Sequence, residues 1–335
     1  MPASTKSNQK GDEVGNGRLG MLKRYFWPVV GLAAVVFSLW LVYREVRELS
    51  FEDVYNSLVA IPPHRLALSV LGAVVAYSAI AGYDHIALVH IGRRVSLLFV
   101  SLCSFTTYAL SHNIGGSVLS GAVIRYRAYG SKGLSGAEVG VLVAVCWFTF
   151  VLAMIFIGSL LLVFLPDLAN RFVGILPVEV STGMGVLGLL FVALYVFGAA
   201  LKLKPLDLGR IHLHYPRLGI VLAQLTVGPA EILAAAGILY FALPENNPGY
   251  LVVLGVFVIA FSVASASHAP GGLGVFEFVA LAGLSDMDKA SVLAALVIFR
   301  LFYLIIPLIV AVVVVIAFER SQLARSAPEP VPPGK

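Results

Sequence analysis

From Tyr25 onward the chain alternates long uncharged stretches with short charged runs. Tyr25–Tyr43, Val139–Pro166, Val180–Leu201 and Asn246–Phe276 contain no Asp, Glu, Lys or Arg, and they reach or exceed the ~20 apolar residues that span a bilayer core. The pattern predicts eight hydrophobic segments, at 25–43, 66–90, 95–124, 138–165, 182–201, 218–243, 250–284 and 290–318. The third and seventh differ from the rest: Val95–Ser111 is parted from Asn113–Ile124, and Tyr250–Ser267 from Leu273–Leu284, by a glycine-rich break. Twelve residues of helix reach about 18 Å, well short of the ~30 Å core. The short arms cannot cross alone, and both segments are expected to be re-entrant hairpins. One polar interval, Glu45–His64, sets Glu48, Glu52 and Asp53 among Val54, Leu58 and Val59 and predicts a short amphipathic interfacial helix.

Two hairpins leave six full crossings, with both termini on one side. Charge then fixes the side. Lys23, Arg24, Arg93, Arg94, Arg125, Arg127, Lys132, Lys202, Lys204, Arg210, Arg217 and Arg320 fall with the termini, whereas Arg44, Arg47, Arg171 and Lys289 fall opposite. That is the positive-inside bias, so both termini are expected in the cytoplasm and the chain in the cytoplasmic (inner) membrane. A complete crossing by the third segment would place Arg125, Arg127 and Lys132 outside, which favours the hairpin. Composition agrees: 59% of the 335 residues are hydrophobic and 12% charged, against roughly 25% charged in soluble domains. The net charge of +5 is accounted for by topology, and no nucleic-acid partner is expected.

The breaks read Ser111-His112-Asn113-Ile114-Gly115-Gly116 and Ser267-His268-Ala269-Pro270-Gly271-Gly272, and Ser267 follows Ser111 by 156 residues. The same offset carries 25–43, 66–90 and 138–165 onto later segments. The expected fold is therefore an all-α polytopic membrane protein built as an inverted repeat, each half holding about three spans and one hairpin. Its parts are a polar leader (1–24), which continues into a retained anchor, a first membrane repeat (25–165), a second, inverted one (182–320) and a disordered tail (321–335).

The first break with Ser120-Gly121 and Ile124-Arg125, and the run Ala269-Pro270-Gly271-Gly272-Leu273-Gly274-Val275-Phe276-Glu277, resemble the lysylphosphatidylglycerol synthase transmembrane-region family. That family comprises the flippase half of the multiple peptide resistance factor and its stand-alone YbhN-like relatives. The likeness covers roughly Arg24 to Arg320. It implies a role in moving lipids between leaflets; a separate soluble domain of the family aminoacylates the lipid. The chain ends at Lys335, leaving no room for that domain, so aminoacyl transfer is not expected.

Ionisable groups at membrane depth are costly and mark polar cavities or buried pairs. Asp84, His112, Glu231, His268, Glu277 and Arg300 are the candidates. His112 and His268 sit at the hairpin tips, where they either cap irregular backbone or bind a headgroup or a proton. Gly115, Gly116, Gly271 and Gly272 permit the turns, and the helix starts behind them aim N–H groups suited to phosphate. Arg125 is either a topological anchor or a phosphate ligand, the latter supported by the resemblance. Arg300 needs a counter-ion, which Glu231 or Glu277 could supply, either as a structural pair or as a gate or proton-linked network. Asp84 and His85 are read as near an interface and solvated. Cys103 and Cys146 are read as packing residues, and His212 with His214 is too sparse a set for a metal site.

No serine-histidine-aspartate set, nucleotide loop or metal cluster is present in the sequence. The expectation is a transporter rather than an enzyme, without cofactor, driven downhill or by an ion. Its partners would be membrane lipids, with a separate lipid-modifying enzyme or a second copy of the chain as further candidates. The alternatives are a membrane subunit presenting lipid to such an enzyme, or an ion-coupled transporter of a small solute.

Overall fold

The computed structural model describes residues 50–114, 117–174, 181–201, 206–208, 211–213 and 215–326, with Val36, Trp40 and Tyr43 besides. The leader 1–24, most of the first predicted segment, Gly115, Gly116 and 327–335 lie outside the described residues. A short helix, α1 (Phe51–Val59), precedes α2 (Pro63–Ile91), α3 (Leu97–Ile114), α4 (Ser117–Gly130) and α5 (Gly136–Phe164). A 3₁₀ turn, Pro166–Phe172, leads towards α6 (Thr182–Ala200), and an antiparallel pair, β1 (Leu206–Leu208) and β2 (Ile211–Leu213), follows. Next come α7 (Leu218–Ala242), α8 (Tyr250–Ala266), α9 (Val275–Gly283) and α10 (Lys289–Arg300), which passes through a π-helical turn, Leu301–Ile305, into α11 (Ile306–Ser326).

Among the described residues, five helices are long and apolar enough to cross a membrane: Pro63–Ile91, Gly136–Phe164, Thr182–Ala200, Leu218–Ala242 and Lys289–Phe318. The chain is thus an all-α polytopic membrane protein, with one short antiparallel strand pair among the described residues. The five match crossings read from the sequence; the remaining one, 25–43, falls largely outside the described residues. Leu187, Leu194 and Phe197 of α6 are 66%, 62% and 66% exposed, an outward apolar face that suits lipid rather than water.

Local chemistry sets the helix ends. Ser135 and Glu138 form a reciprocal cap at the start of α5, as do Ser50 and Asp53 for α1, satisfying N–H groups that would otherwise be orphaned. Pro63 opens α2 where its missing N–H is harmless, and Gly92 closes it at φ +78°. Arg65 is buried; its Nε and Nη2 donate to the carbonyls of Phe241 and Tyr240, both at 3.0 Å. A guanidinium there closes the C-terminal end of α7.

Helices α2 and α7 form the spine. They approach closely because glycine faces the partner: a Cβ on Gly72 would lie 3.0 Å from the Ala234 carbonyl oxygen, and one on Gly82 would lie 2.7 Å from Val227 Cγ1. Small residues are how membrane helices gain packing without a hydrophobic driving force between them.

Both glycine-rich stretches lie between two helical arms. The first break falls slightly later than the sequence suggests, since α3 continues through Asn113 to Ile114, and its second arm runs on to Gly130. The other break leaves helix at Ala266, turns through Pro270–Gly272 and restarts at Val275 as a nine-residue arm. Gly271, Gly272 and Gly274 hold φ of +61°, +61° and +78°, a region open to glycine at little cost. His268 holds φ +56° and is the one described non-glycine residue with positive φ.

Candidate functional site

The two breaks meet. A Cβ placed on Gly271 would lie 3.7 Å from the backbone oxygen of His112 and 3.8 Å from Arg300 Nη1. Around this junction is a cavity of about 420 Å³, lined by His112, Arg125, His268, Gly271, Gly272 and Arg300, and also by Ser111, Tyr108, Phe261 and Tyr303. Six residues singled out in the sequence thus share one space. Gly115 and Gly116 lie outside the described residues.

Arg300 reaches the cavity from the end of α10. Its Nε donates to Glu277 Oε1, and its Nη1 donates to the Gly271 carbonyl at 3.1 Å. Glu277 Oε2 in turn accepts the Gly274 N–H at 2.8 Å. Of the two counter-ions considered for Arg300, the structure selects Glu277, and the pair pins the irregular backbone of the second break. Arg300 Nη2 is buried and without a hydrogen-bond partner.

Arg125 is 5% exposed and Asp84 fully buried. Arg125 Nη2 donates to Asp84 Oδ1 at 2.6 Å and its Nε lies 3.2 Å from both carboxylate oxygens. Tyr129 Oη donates to Asp84 Oδ2 at 2.8 Å, and the Cys146 thiol reaches Oδ1 at 3.3 Å. The guanidinium also lies 5.0 Å above the Tyr108 ring, a favourable seat for a cation. This corrects the reading of Asp84 as solvated: α2 turns it inwards, while His85, one residue on, is exposed. Arg125 is held inside the protein rather than extended from a boundary; Arg127 is exposed.

His112 is enclosed by rings. It stacks on Tyr303 at 5.7 Å and 24°, and meets Tyr108 and Phe261 edge-on at 5.5 and 6.3 Å. The stack continues from Tyr303 to Phe299 and Phe276. His112 Nδ1 and Ser111 Oγ are buried without hydrogen-bond partners. His268 stands differently: it is exposed, and its Nδ1 lies 2.9 Å from the Ala266 carbonyl oxygen, a contact a protonated Nδ1 satisfies as a cap on the broken backbone.

Glu231 does not join Arg300. It is 4% exposed, two residues beyond Pro229 inside α7. Its Oε1 accepts from Tyr303 Oη at 2.5 Å and its Oε2 from Tyr83 Oη at 3.3 Å. Tyr83, Tyr108 and Tyr303 were not among the sequence candidates, although tyrosine within an apolar span is itself a signal, because its hydroxyl must find a partner. Among the described residues, no cluster of His, Cys, Asp and Glu could hold a metal ion.

Apolar spans, paired helical arms at matching motifs and a cavity shared between them define a polytopic membrane protein with a candidate site at its helix breaks. The profile of the lysylphosphatidylglycerol synthase TM region matches residues 29–311, and the chain belongs to that family. It is 30% identical to the uncharacterized protein slr0712 of Synechocystis sp. over 88% of this chain and 92% of that one. Its identity to the inner membrane protein YbhN of Escherichia coli is 28%, over 85% of this chain and 89% of YbhN. To the phosphatidylglycerol lysyltransferase of Staphylococcus haemolyticus it is 24%, over 94% of this chain but 36% of that enzyme.

Proposed function

We propose that the chain moves a phospholipid or related polar lipid between leaflets, taking the headgroup into the cavity at the helix breaks while the acyl chains stay in lipid. The observation that carries this reading is the cavity's make-up: a guanidinium with an uncommitted Nη2, a free serine hydroxyl and a free histidine nitrogen, set among aromatic walls. Buried polar groups are normally satisfied, so this set is suited to a ligand that brings its own acceptors. Arg300 Nη2 and Ser111 Oγ would bond a phosphate oxygen. Arg125, already held by Asp84, supplies field and shape. The Glu277–Arg300 pair forms the gate, and Glu231 stands apart from it.

The family supports the lipid class, since one relative is a phosphatidylglycerol lysyltransferase of which this chain spans 36%. We read the chain as a transporter and not an enzyme.

We further read the architecture as an inverted repeat with two re-entrant hairpins. Under the 156-residue offset α2 maps onto α7, and these two pack on each other as the spine; the two breaks also map onto each other and also touch. Elements exchanged by a two-fold axis meet their mates where they lie on that axis. The pairs α2 with α3 and α7 with α8, like α4 with α5 and α9 with α10, are further matched contacts.

The test is leaflet-resolved transfer of fluorescent phosphatidylglycerol in proteoliposomes. Transfer above protein-free vesicles is expected, with at least a tenfold loss in Arg300→Gln, about 1.4 kcal/mol in transition-state terms. Absence of any lipid transfer defeats the reading. A second reading, a subunit presenting lipid to a separate enzyme, is favoured by the lysyltransferase relative, of which this chain spans only 36%, and predicts co-purification with such an enzyme.

A further inference from the structure

We propose that Glu231 is a proton site reached from the cavity through Tyr303, and that lipid translocation is coupled to proton movement through this pair. The inference rests on the transport reading above and names its driving ion.

Glu231 is an acidic side chain buried at mid-helix, and among the described residues no ion pair reaches it. A carboxyl group at membrane depth without a counter-charge is expensive to retain for packing alone. Its two partners are hydroxyls, at 2.5 Å from Tyr303 and 3.3 Å from Tyr83. A hydroxyl serves both protonation states, because it donates to a carboxylate and accepts from the acid.

Tyr303 is placed to connect this group to the cavity. It lies in the π-helical turn Leu301–Ile305, a departure from α-helix that recurs at functional sites. Its ring forms part of the cavity wall and stacks on His112. Tyr77 donates to the Tyr303 carbonyl at 2.9 Å and so fixes the turn. The neighbouring charges are already committed. Asp84, the residue after Tyr83 in α2, faces Arg125, Tyr129 and Cys146. Arg300, one turn before Tyr303, faces Glu277. From α3, His112 touches Tyr303 through its ring and Tyr108 touches Tyr83 edge-on. Among the described groups in contact with Tyr303, His112 is therefore the competing proton carrier.

The step balances simply. A proton arriving from the cavity is taken by the Tyr303 oxygen as that hydroxyl's own proton passes to Glu231 Oε1; the carboxylate becomes the acid, and the return runs in reverse. Loss of a negative charge beside the cavity favours an anionic headgroup, so proton and lipid bind together.

The full chain is reconstituted with fluorescent phosphatidylglycerol at clamped zero membrane potential, and the steady-state leaflet ratio is read under a one-unit pH gradient. One coupled proton per lipid holds that ratio about tenfold from unity, since one pH unit is worth a factor of ten. We expect the wild type to approach this ratio and to return to unity with a protonophore, while E231Q and Y303F stay near unity and H112Q keeps the asymmetry. A variant that is slow but coupled reaches the same ratio later, which separates coupling from rate. Wild-type transfer that equilibrates regardless of the gradient overturns the proposal but leaves the transport reading standing. Asymmetry persisting in E231Q, or lost in H112Q and kept in Y303F, also overturns it. Absence of all transfer removes the transport reading and the proposal with it. Where a variant moves no lipid, infrared difference spectra of the solubilised protein decide: a titrating carboxyl band present in the wild type and missing in E231Q supports the assignment, and its absence from the wild type refutes it.

Discussion

Asp84 and Arg125 illustrate how a single side chain can change meaning between sequence and structure. As a buried pair with three further contacts, they are worth more for what their separation would cost than for what their union contributes. Removing one partner leaves the other charge stranded, at about 3–5 kcal/mol. We expect Asp84→Asn to lower the melting temperature in detergent sharply, and the double variant Asp84→Leu with Arg125→Met to recover much of the loss. The sequence could not orient Asp84, because α2 is apolar nearly all round and shows no stripe to mark its inward face. A one-residue step then separates full burial from the exposure of His85. At the second break the glycines can be ranked. Gly271 and Gly272 both hold φ +61°, but a Cβ on Gly272 would also lie 2.9 Å from Ala264 Cβ, whereas one on Gly271 has ordinary clearance. Alanine at either position costs about 1–2 kcal/mol of left-handed strain. Gly272→Ala is expected to cost more, measured in the same melts.

At the scale of elements, helices were legible where hydrophobic length alone decided them, as for α2, α5, α6 and α7. Breaks were legible because glycine and proline punctuate the chain. What the sequence did not reveal was pairing across long separations: Glu231 meets tyrosines from α2 and from the final span, 148 and 72 residues away. Nothing local encodes those meetings. Arg300 and Glu277, 23 residues apart, were within reach of sequence reasoning because both are ionisable groups at membrane depth in successive segments, though Glu231 remained an equal candidate until the structure separated them. The loops also carry a testable pair. Arg171 donates to both oxygens of Asp286 at 2.8 and 2.9 Å, tying the turn after α5 to the turn after α9. The guanidinium holds the Asp286 carboxyl below its ordinary value of 3.8. A carboxyl depressed in the folded state contributes stability above its unfolded pKa and loses it as pH falls through the folded value. Arg171→Ala should therefore lower the melting temperature slightly at neutral pH and by less well below pH 3.8, where the bond from Arg171 to the Gly283 carbonyl is the contact still lost. The effect is small because the pair is largely solvated.

For the whole molecule, the inverted repeat makes a demand on topology that local contacts do not. If both broken segments are re-entrant, the chain enters and leaves each on one side: Lys132, after the first, faces the cytoplasm, and Asp286, after the second, faces away from it. Complete crossings would move Lys132 to the far side and shift every later span. Both native cysteines are buried, so a background free of them is reached by Cys103→Ala and Cys146→Ala, the second of which also removes a contact to Asp84 and is checked by melting. Single cysteines at 132 and 286 are then tested in right-side-out and inverted vesicles with a membrane-impermeant maleimide. Labelling at 132 only from the cytoplasmic face, and at 286 only from the opposite face, is the expected result. Labelling of both from one face would remove the opposed hairpins. The cavity would then join two breaks of like orientation, and the pseudo-symmetry by which one site could be presented to each leaflet in turn would be lost.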